Sequence, residues 1–139
     1  MSYLLDTCVI SELARRSPAR KVVTWLDAQD DQALSLSVIT IGELCKGIAK
    51  LPPSEKQTAL AQWVDRDLRQ RFAGRILAVT EEVAARWGRL LGEAEARGEP
   101  LPIIDALIAA TALVHDLQVV TRNTGHVERC GATVLDPWG

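Results

Sequence analysis

Apolar positions change their spacing along the chain, alternating between short runs and long stripes. Tyr3-Leu4-Leu5 is a compact apolar run that stops at Asp6. Such a run suits a strand covered on both faces, as in the middle of a parallel sheet. Leu34-Ser35-Leu36, Ile76-Leu77-Ala78-Val79 and Leu117-Gln118-Val119-Val120-Thr121 are further strand candidates, and Ala132 to Leu135 is a weaker fifth. Stripes of helical period separate them. Thr7 to Ala14 reads as a helix, and a second begins near Pro18 with Val22, Trp25 and Leu26 on one face. Ser37 is placed to cap a helix from Val38 to Lys50, which must end before Pro52-Pro53.

A longer helix is expected from Ser54, carrying Leu60, Trp63, Val64 and Leu68 and ending before Gly74. Thr80 with Glu81 and Glu82 opens another, to about Arg97, and Pro102 opens the most apolar one, Ile103 to His115. Strands alternating with helices predict an α/β fold, with helices layered on a central, mainly parallel sheet. No repeat, linker or low-complexity segment divides residues 1–139, so a single domain is expected.

Composition removes several classes. With 47% hydrophobic and 24% charged residues in 139, the chain is neither disordered nor a disulfide-dense mini-protein. Sixteen Lys and Arg against eighteen Asp and Glu give a net charge of −2, which excludes a bulk-basic nucleic-acid coat. Cys8, Cys45 and Cys130 are odd in number, widely spaced and without a CxxC, as free thiols of a reducing compartment are. The first residues lack the basic region of a signal peptide, and the most apolar helix falls far short of the roughly 20 residues of a membrane span. A cytoplasmic protein is expected.

In open α/β sheets, ligands gather at the carboxyl ends of the strands, so the polar residues there are the candidates for chemistry. Asp6 ends the first strand, and Asn123 follows the fourth. Asp105 opens the apolar helix, and Glu43 lies within the helix after the second strand. Each has a bland explanation: a cap, a response to the helix dipole, a solvated face, a turn. If Asp6, Glu43 and Asp105 converge, the sum is different. Two unit charges about 4 Å apart repel by roughly 4 kcal/mol at an effective dielectric near 20. Such a cluster takes up protons or binds a cation, and all-oxygen donors favour Mg²⁺ or Mn²⁺.

The chain resembles the PIN-domain ribonucleases, in particular the VapC and FitB-like toxins of toxin–antitoxin pairs. Leu5-Asp6-Thr7-Cys8-Val9-Ile10-Ser11-Glu12, Ser37-Val38-Ile39-Thr40-Ile41-Gly42-Glu43-Leu44, Ile104-Asp105-Ala106-Leu107-Ile108-Ala109-Ala110-Thr111-Ala112, Val120-Thr121-Arg122-Asn123 and Gly131-Ala132-Thr133-Val134-Leu135-Asp136-Pro137-Trp138 carry the likeness, in order and over nearly the whole length. The resemblance implies one PIN domain over residues 1–139, with a three-layer α/β/α fold. It implies a metal-dependent endoribonuclease using Mg²⁺ or Mn²⁺, held by Asp6, Asp105 and the helix-borne Glu43. Asn123 falls where many members have a fourth acid, which leaves it to orient a water. Thr7, Ser37 and Thr121 would be supporting hydroxyls. An RNA substrate, a homodimer, a small VapB- or FitA-like antitoxin and contact with DNA only through that antitoxin are also implied, and no membrane.

Two departures stand out. Asn123 carries no charge, and Cys8 stands where relatives commonly have Asn after Asp-Thr. They leave room for an alternative, a catalytically weak or inactive PIN module acting through an antitoxin-bound, DNA-binding complex. Positive charge is unevenly spread. Residues 46–75 hold seven basic and three acidic residues, whereas five basic and nine acidic follow from residue 76. Arg15, Arg16, Arg20 and Lys21 form a second basic group. A solvated face or an RNA or partner contact would each account for them. Trp25, Trp63 and Trp87 are expected in packing, and His115 and His126 at the surface.

Overall fold

A computed structural model describes residues 1–139. In chain order it contains β1 (Tyr3–Leu5), α1 (Thr7–Leu13), α2 (Arg20–Asp27), a 3₁₀ turn (Asp31–Ala33), β2 (Leu34–Ser37) and α3 (Val38–Ala49). Then come α4 (Glu55–Gln62), a π-helical stretch (Trp63–Leu68), α5 (Arg69–Arg71), β3 (Ile76–Leu77), α6 (Glu81–Ala96) and α7 (Ile103–His115). β4 (Gln118–Val120), α8 (Thr124–Arg129) and β5 (Val134–Leu135) complete it.

All strand pairs are parallel, in the order β3-β2-β1-β4-β5. The order reverses at β1, whose neighbours β2 and β4 lead away in opposite directions. A cleft opens at such a switch point, beyond the strand ends. Leu5 pairs with Val120 there, so Asp6 and Thr121 leave the sheet side by side.

Successive strand residues face opposite sides of a sheet, and here each side has its own core. Leu4 and Val119 pack with Ala94, Ala106, Ile108 and Val127 of α6, α7 and α8. Leu5 and Val120 pack with Val9, Ile10, Val22, Leu26, Val64 and Phe72 on the other side. Leu4-Leu5 and Val119-Val120 are therefore apolar at successive positions, and the three layers follow.

Three local differences from the expected elements have physical causes. The helix expected from Ser54 to Gly74 is not uniformly α-helical. Its middle, Trp63–Leu68, is a π-helical stretch, in a segment that buries Val64, Leu68 and Phe72 on the sheet side. β3 is two residues long, because pairing with β2 ends at Ser37↔Leu77. α8 has no counterpart in the apolar pattern, since it buries only Val127. No helix is long and apolar enough to cross a membrane.

Candidate active site

The end of β1 shapes the site first. Asp6 is the N-cap of α1, and its Oδ1 accepts the Thr7 backbone N–H at 2.8 Å. A plain cap would leave the second oxygen to solvent. Instead Asp6 is buried, and Oδ2 accepts the Thr121 hydroxyl at 2.8 Å. Thr121, fully buried after β4, also accepts the Asn123 backbone N–H at 3.0 Å. One hydroxyl thus fixes both the carboxylate and the loop after β4.

α3 brings Glu43. Its Oε1 accepts the Thr7 hydroxyl, which lies 3.2 Å from the hydroxyl of buried Thr40. Thr40 is one turn before Glu43 on α3, and the three-residue spacing is its one signal in the sequence. Ser37 serves differently from a supporting hydroxyl of the pocket. Its Oγ accepts the Ile39 backbone N–H at 3.0 Å and caps α3. Ser37 therefore aims the helix that carries Glu43 and makes no hydrogen bond to the carboxylates.

Asp105, in the first turn of α7, is half-buried and enters no hydrogen bond or ion pair. Asn123 is exposed at the rim, and its backbone, not its side chain, makes the bond to Thr121. Cys8 lies inside. Its Sγ is 3.9 Å from Asp6 Oδ2 and 3.6 Å from Thr121 Oγ1, and it accepts the Arg122 backbone N–H at 3.5 Å.

The electrostatics show that the acids sense one another. Burial raises Asp6 above the ordinary carboxylate range, and Asp105 adds repulsion, against the lowering effect of the Thr121 and Thr7 hydrogen bonds. Burial raises Asp105 as well, with Glu43 adding repulsion and His126 opposing it. The ion pairs of the chain join Arg15 to Glu12, Arg69 to Asp65 and Arg71 to Asp31, so none of the three acids has a cationic partner of its own. No three His, Cys, Asp or Glu side chains stand close enough to form a ready-made ligand cage. The donor chemistry still suits a hard cation. Mg²⁺ takes one or two carboxylates, keeps several waters and has little use for a closed protein cage.

A family model described as the PIN domain matches residues 3–131. The chain belongs to the PIN-domain family. This PIN domain is 40% identical to Toxin FitB of Neisseria gonorrhoeae, over 97% of each chain. It is 36% identical to VapC ribonuclease Y4jK of Sinorhizobium fredii, over 97% of this chain and 96% of the relative. Among solved structures, FitAcB from Neisseria gonorrhoeae superposes with a TM-score of 0.91 at 40% identity, covering 98% of both chains. FitAB bound to IR36 DNA gives 0.91 at 38% identity, covering 99% of this chain and 96% of that one. The parallel five-stranded sheet and its flanking helices are those of the PIN fold.

Proposed function

We propose that this PIN domain is a divalent-metal-dependent endoribonuclease acting as the toxin of a toxin–antitoxin pair. The observation that carries this reading is the unpaired acidic trio Asp6, Glu43 and Asp105 at the switch point of the sheet, two of them held above the usual carboxylate range. Acids brought toward one another without a cationic partner cost folding free energy, and a cation-dependent task gives that cost a purpose. The names of two similar proteins, a VapC ribonuclease and Toxin FitB, support the reaction and the role.

Asp6 and Asp105 would hold Mg²⁺ or Mn²⁺, and Glu43 would help position it or the attacking water. Bound there, the cation would supply charge neutralisation at the phosphodiester and would make a water more acidic. The chain's own groups do the rest. Thr121 and the α1 cap lock Asp6 in one orientation, and Thr7 with Thr40 orients Glu43. The Asn123 side chain, at the rim, orients the nucleophile through an uncharged oxygen. Two Asp and one Glu replace a fully acidic quartet, so one tightly held ion is expected.

The natural partners would be an RNA substrate and a small VapB- or FitA-like antitoxin, with a homodimer as the working unit and DNA reached only through the antitoxin. The solved FitAcB complex and the DNA-bound FitAB complex support that arrangement. A cavity of about 190 Å³ opens beside Glu43, with apolar walls from Leu44, Ile48, Leu60, Trp63 and Val64. An apolar segment of the antitoxin would fit there and cover the acid.

The deciding test is cleavage of varied RNAs by the purified, partner-free protein, with Mn²⁺ and with chelator, beside Asp6→Asn. Cleavage that needs Mn²⁺ and is lost in the variant supports the proposal. Binding without turnover in every RNA tested would transfer support to the alternative, a module acting only through its complex.

A further inference from the structure

Next to the acidic trio lies a surface of opposite character. The loop after β4 and helix α8 form an open recess of about 380 Å³ lined by Arg122, Asn123, Thr124, Gly125, His126 and Arg129, without one apolar residue. Neither arginine has a carboxylate partner: Arg129 reaches only the backbone carbonyl of Glu99, at 3.3 Å, and Arg122 makes no ion pair. On a chain of net charge −2, two guanidinium groups without a direct carboxylate contact, beside a carboxylate pocket, need an explanation.

The fold also invests in where Arg122 stands. Its guanidinium lies over the Trp138 ring, 4.3 Å from the centroid. The Trp138 indole N–H donates to Glu12 Oε1 at 3.2 Å. Glu12 is itself buried, accepts the Ala19 backbone N–H at 3.0 Å through Oε2, and pairs with Arg15 at 3.4 Å. The Ala19 amide most of all, then the Trp138 indole and the charges of Arg15 and Arg122, hold the Glu12 carboxyl below its ordinary range against the opposing effect of burial. Glu12 sits on α1, the helix that Asp6 caps. At its other end, Arg122 is tied by its backbone N–H to Cys8 Sγ, while Asn123 is tied to Thr121. An arginine normally loses much rotamer freedom when it engages a ligand, and stacking in advance removes part of that loss.

We propose that this recess binds the phosphodiester backbone of the RNA next to the scissile bond, with Arg122 and Arg129 as phosphate contacts and Glu12–Trp138 as the support that holds Arg122 in place. The inference rests on the ribonuclease reading and adds where the strand runs. A planar guanidinium suits a phosphate in two-point contact, and its fixed position relative to Asp6 sets the register between the bound strand and the acids. Asn123 at the edge of the recess is tied to Thr121, the donor to Asp6, and the His126 that lines it lowers the Asp105 carboxyl, so the recess lies against the site rather than behind it.

The test is binding of a fluorescein-labelled, single-stranded RNA of mixed sequence to the full chain, followed by anisotropy over a range of salt. Chelator is present, so that metal-dependent cleavage does not compete. Arg122→Gln and Arg129→Gln should each weaken binding and each reduce the slope of log K against log salt by about 0.7, the expected contribution of one phosphate on a single strand. Trp138→Phe keeps a ring but loses the bond to Glu12, and should weaken binding less than Arg122→Gln without changing the slope. Arg89→Gln, on the exposed side of α6, should match wild type. Wild-type affinity and slope in the Arg122→Gln, Arg129→Gln double variant would overturn the proposal. The same preparations assayed with Mn²⁺ keep the two ideas apart. Cleavage by wild type beside an unchanged slope in the double variant removes the recess and leaves the ribonuclease. A lost slope without any cleavage keeps the recess as an RNA surface and removes the ribonuclease.

Discussion

Thr121 donates its hydroxyl to Asp6 Oδ2 at 2.8 Å, joining the ends of two neighbouring strands at the point where the sheet order reverses. The contact spans 115 residues of sequence and sits where Asp6 is 6% exposed and Thr121 is fully buried. Thr121→Val keeps the shape and deletes the hydroxyl. Asp6 then loses a donor to a buried carboxylate, a bond of about 1.5–3 kcal/mol when the acceptor is charged. Thr121→Val should lower the melting temperature and reduce RNA cleavage by roughly 10–100-fold, the usual range for partners that orient a metal-binding carboxylate. Thr121→Ser should stay near wild type. Equal kcat/KM for the valine and serine variants would show that the hydroxyl is not needed.

The three cysteines differ in accessibility in a way that a thiol reagent reads directly. Cys45 is exposed on α3, Cys8 is half-buried in the pocket, and Cys130 is buried under α8. Burial raises the thiols of Cys8 and Cys130, which lowers their thiolate fraction further. Under native conditions Cys45 should label first and leave activity intact. Cys8 should follow slowly and abolish cleavage in proportion to its labelling, and Cys130 should label only on unfolding. Peptide mass spectrometry over time gives the order. Labelling of Cys8 without loss of activity would separate the pocket from the reaction.

Asp116 ends α7 in the left-handed region, at φ 54°, where side chains are strained and where a negative charge meets the negative end of the helix. Asp116→Asn removes the charge and keeps a residue that tolerates this conformation. It should raise stability by about 0.3–1 kcal/mol, seen as a higher urea midpoint, with cleavage unchanged. A midpoint equal to or below wild type would mean that solvent already screens the charge.

Much of the architecture was legible because β1 and β4 are apolar at successive positions, which only a strand covered on both faces tolerates. That pattern also placed Asp6 at a strand end. The pattern could not show α8, which buries one apolar side chain, nor the π-helical stretch. An α-helix and a π-helix with apolar residues at Val64, Leu68 and Phe72 look alike in sequence. The hydrogen bonds of the pocket were less legible still. Nothing in the helical pattern marks Glu12 as buried, and the Ala19 amide and the Trp138 indole, 126 residues later, satisfy its carboxylate there. Ser37 was legible as a helix cap, and the fold uses it as one; Thr40 became visible only once α1 and α3 were packed together.

Asp105 offers the cleanest test of the acidic trio, because it makes no hydrogen bond that a substitution would break. Its pKa in the folded protein lies above the ordinary 3.8. From pH 3.8 upward, the unfolded chain has released a proton that the native state still holds, until pH passes the raised native value. Unfolding thus releases protons in that window, so stability falls as pH climbs through it. At neutral pH the whole cost is present, and Asp105→Asn removes it. Without divalent cation, Asp105→Asn should therefore melt above wild type at pH 7, with the difference shrinking as pH is lowered and vanishing below the ordinary 3.8. Mn²⁺ should reverse the order. A ligand bound only by the native state stabilises it by about 2.7 kcal/mol at a hundred times its Kd, and only wild type keeps the full donor set. Thermal melts at two pH values, each with Mn²⁺ and with chelator, give all four comparisons. If Asp105→Asn gains as much from Mn²⁺ as wild type does, Asp105 is no ligand and the acidic trio is not the metal site.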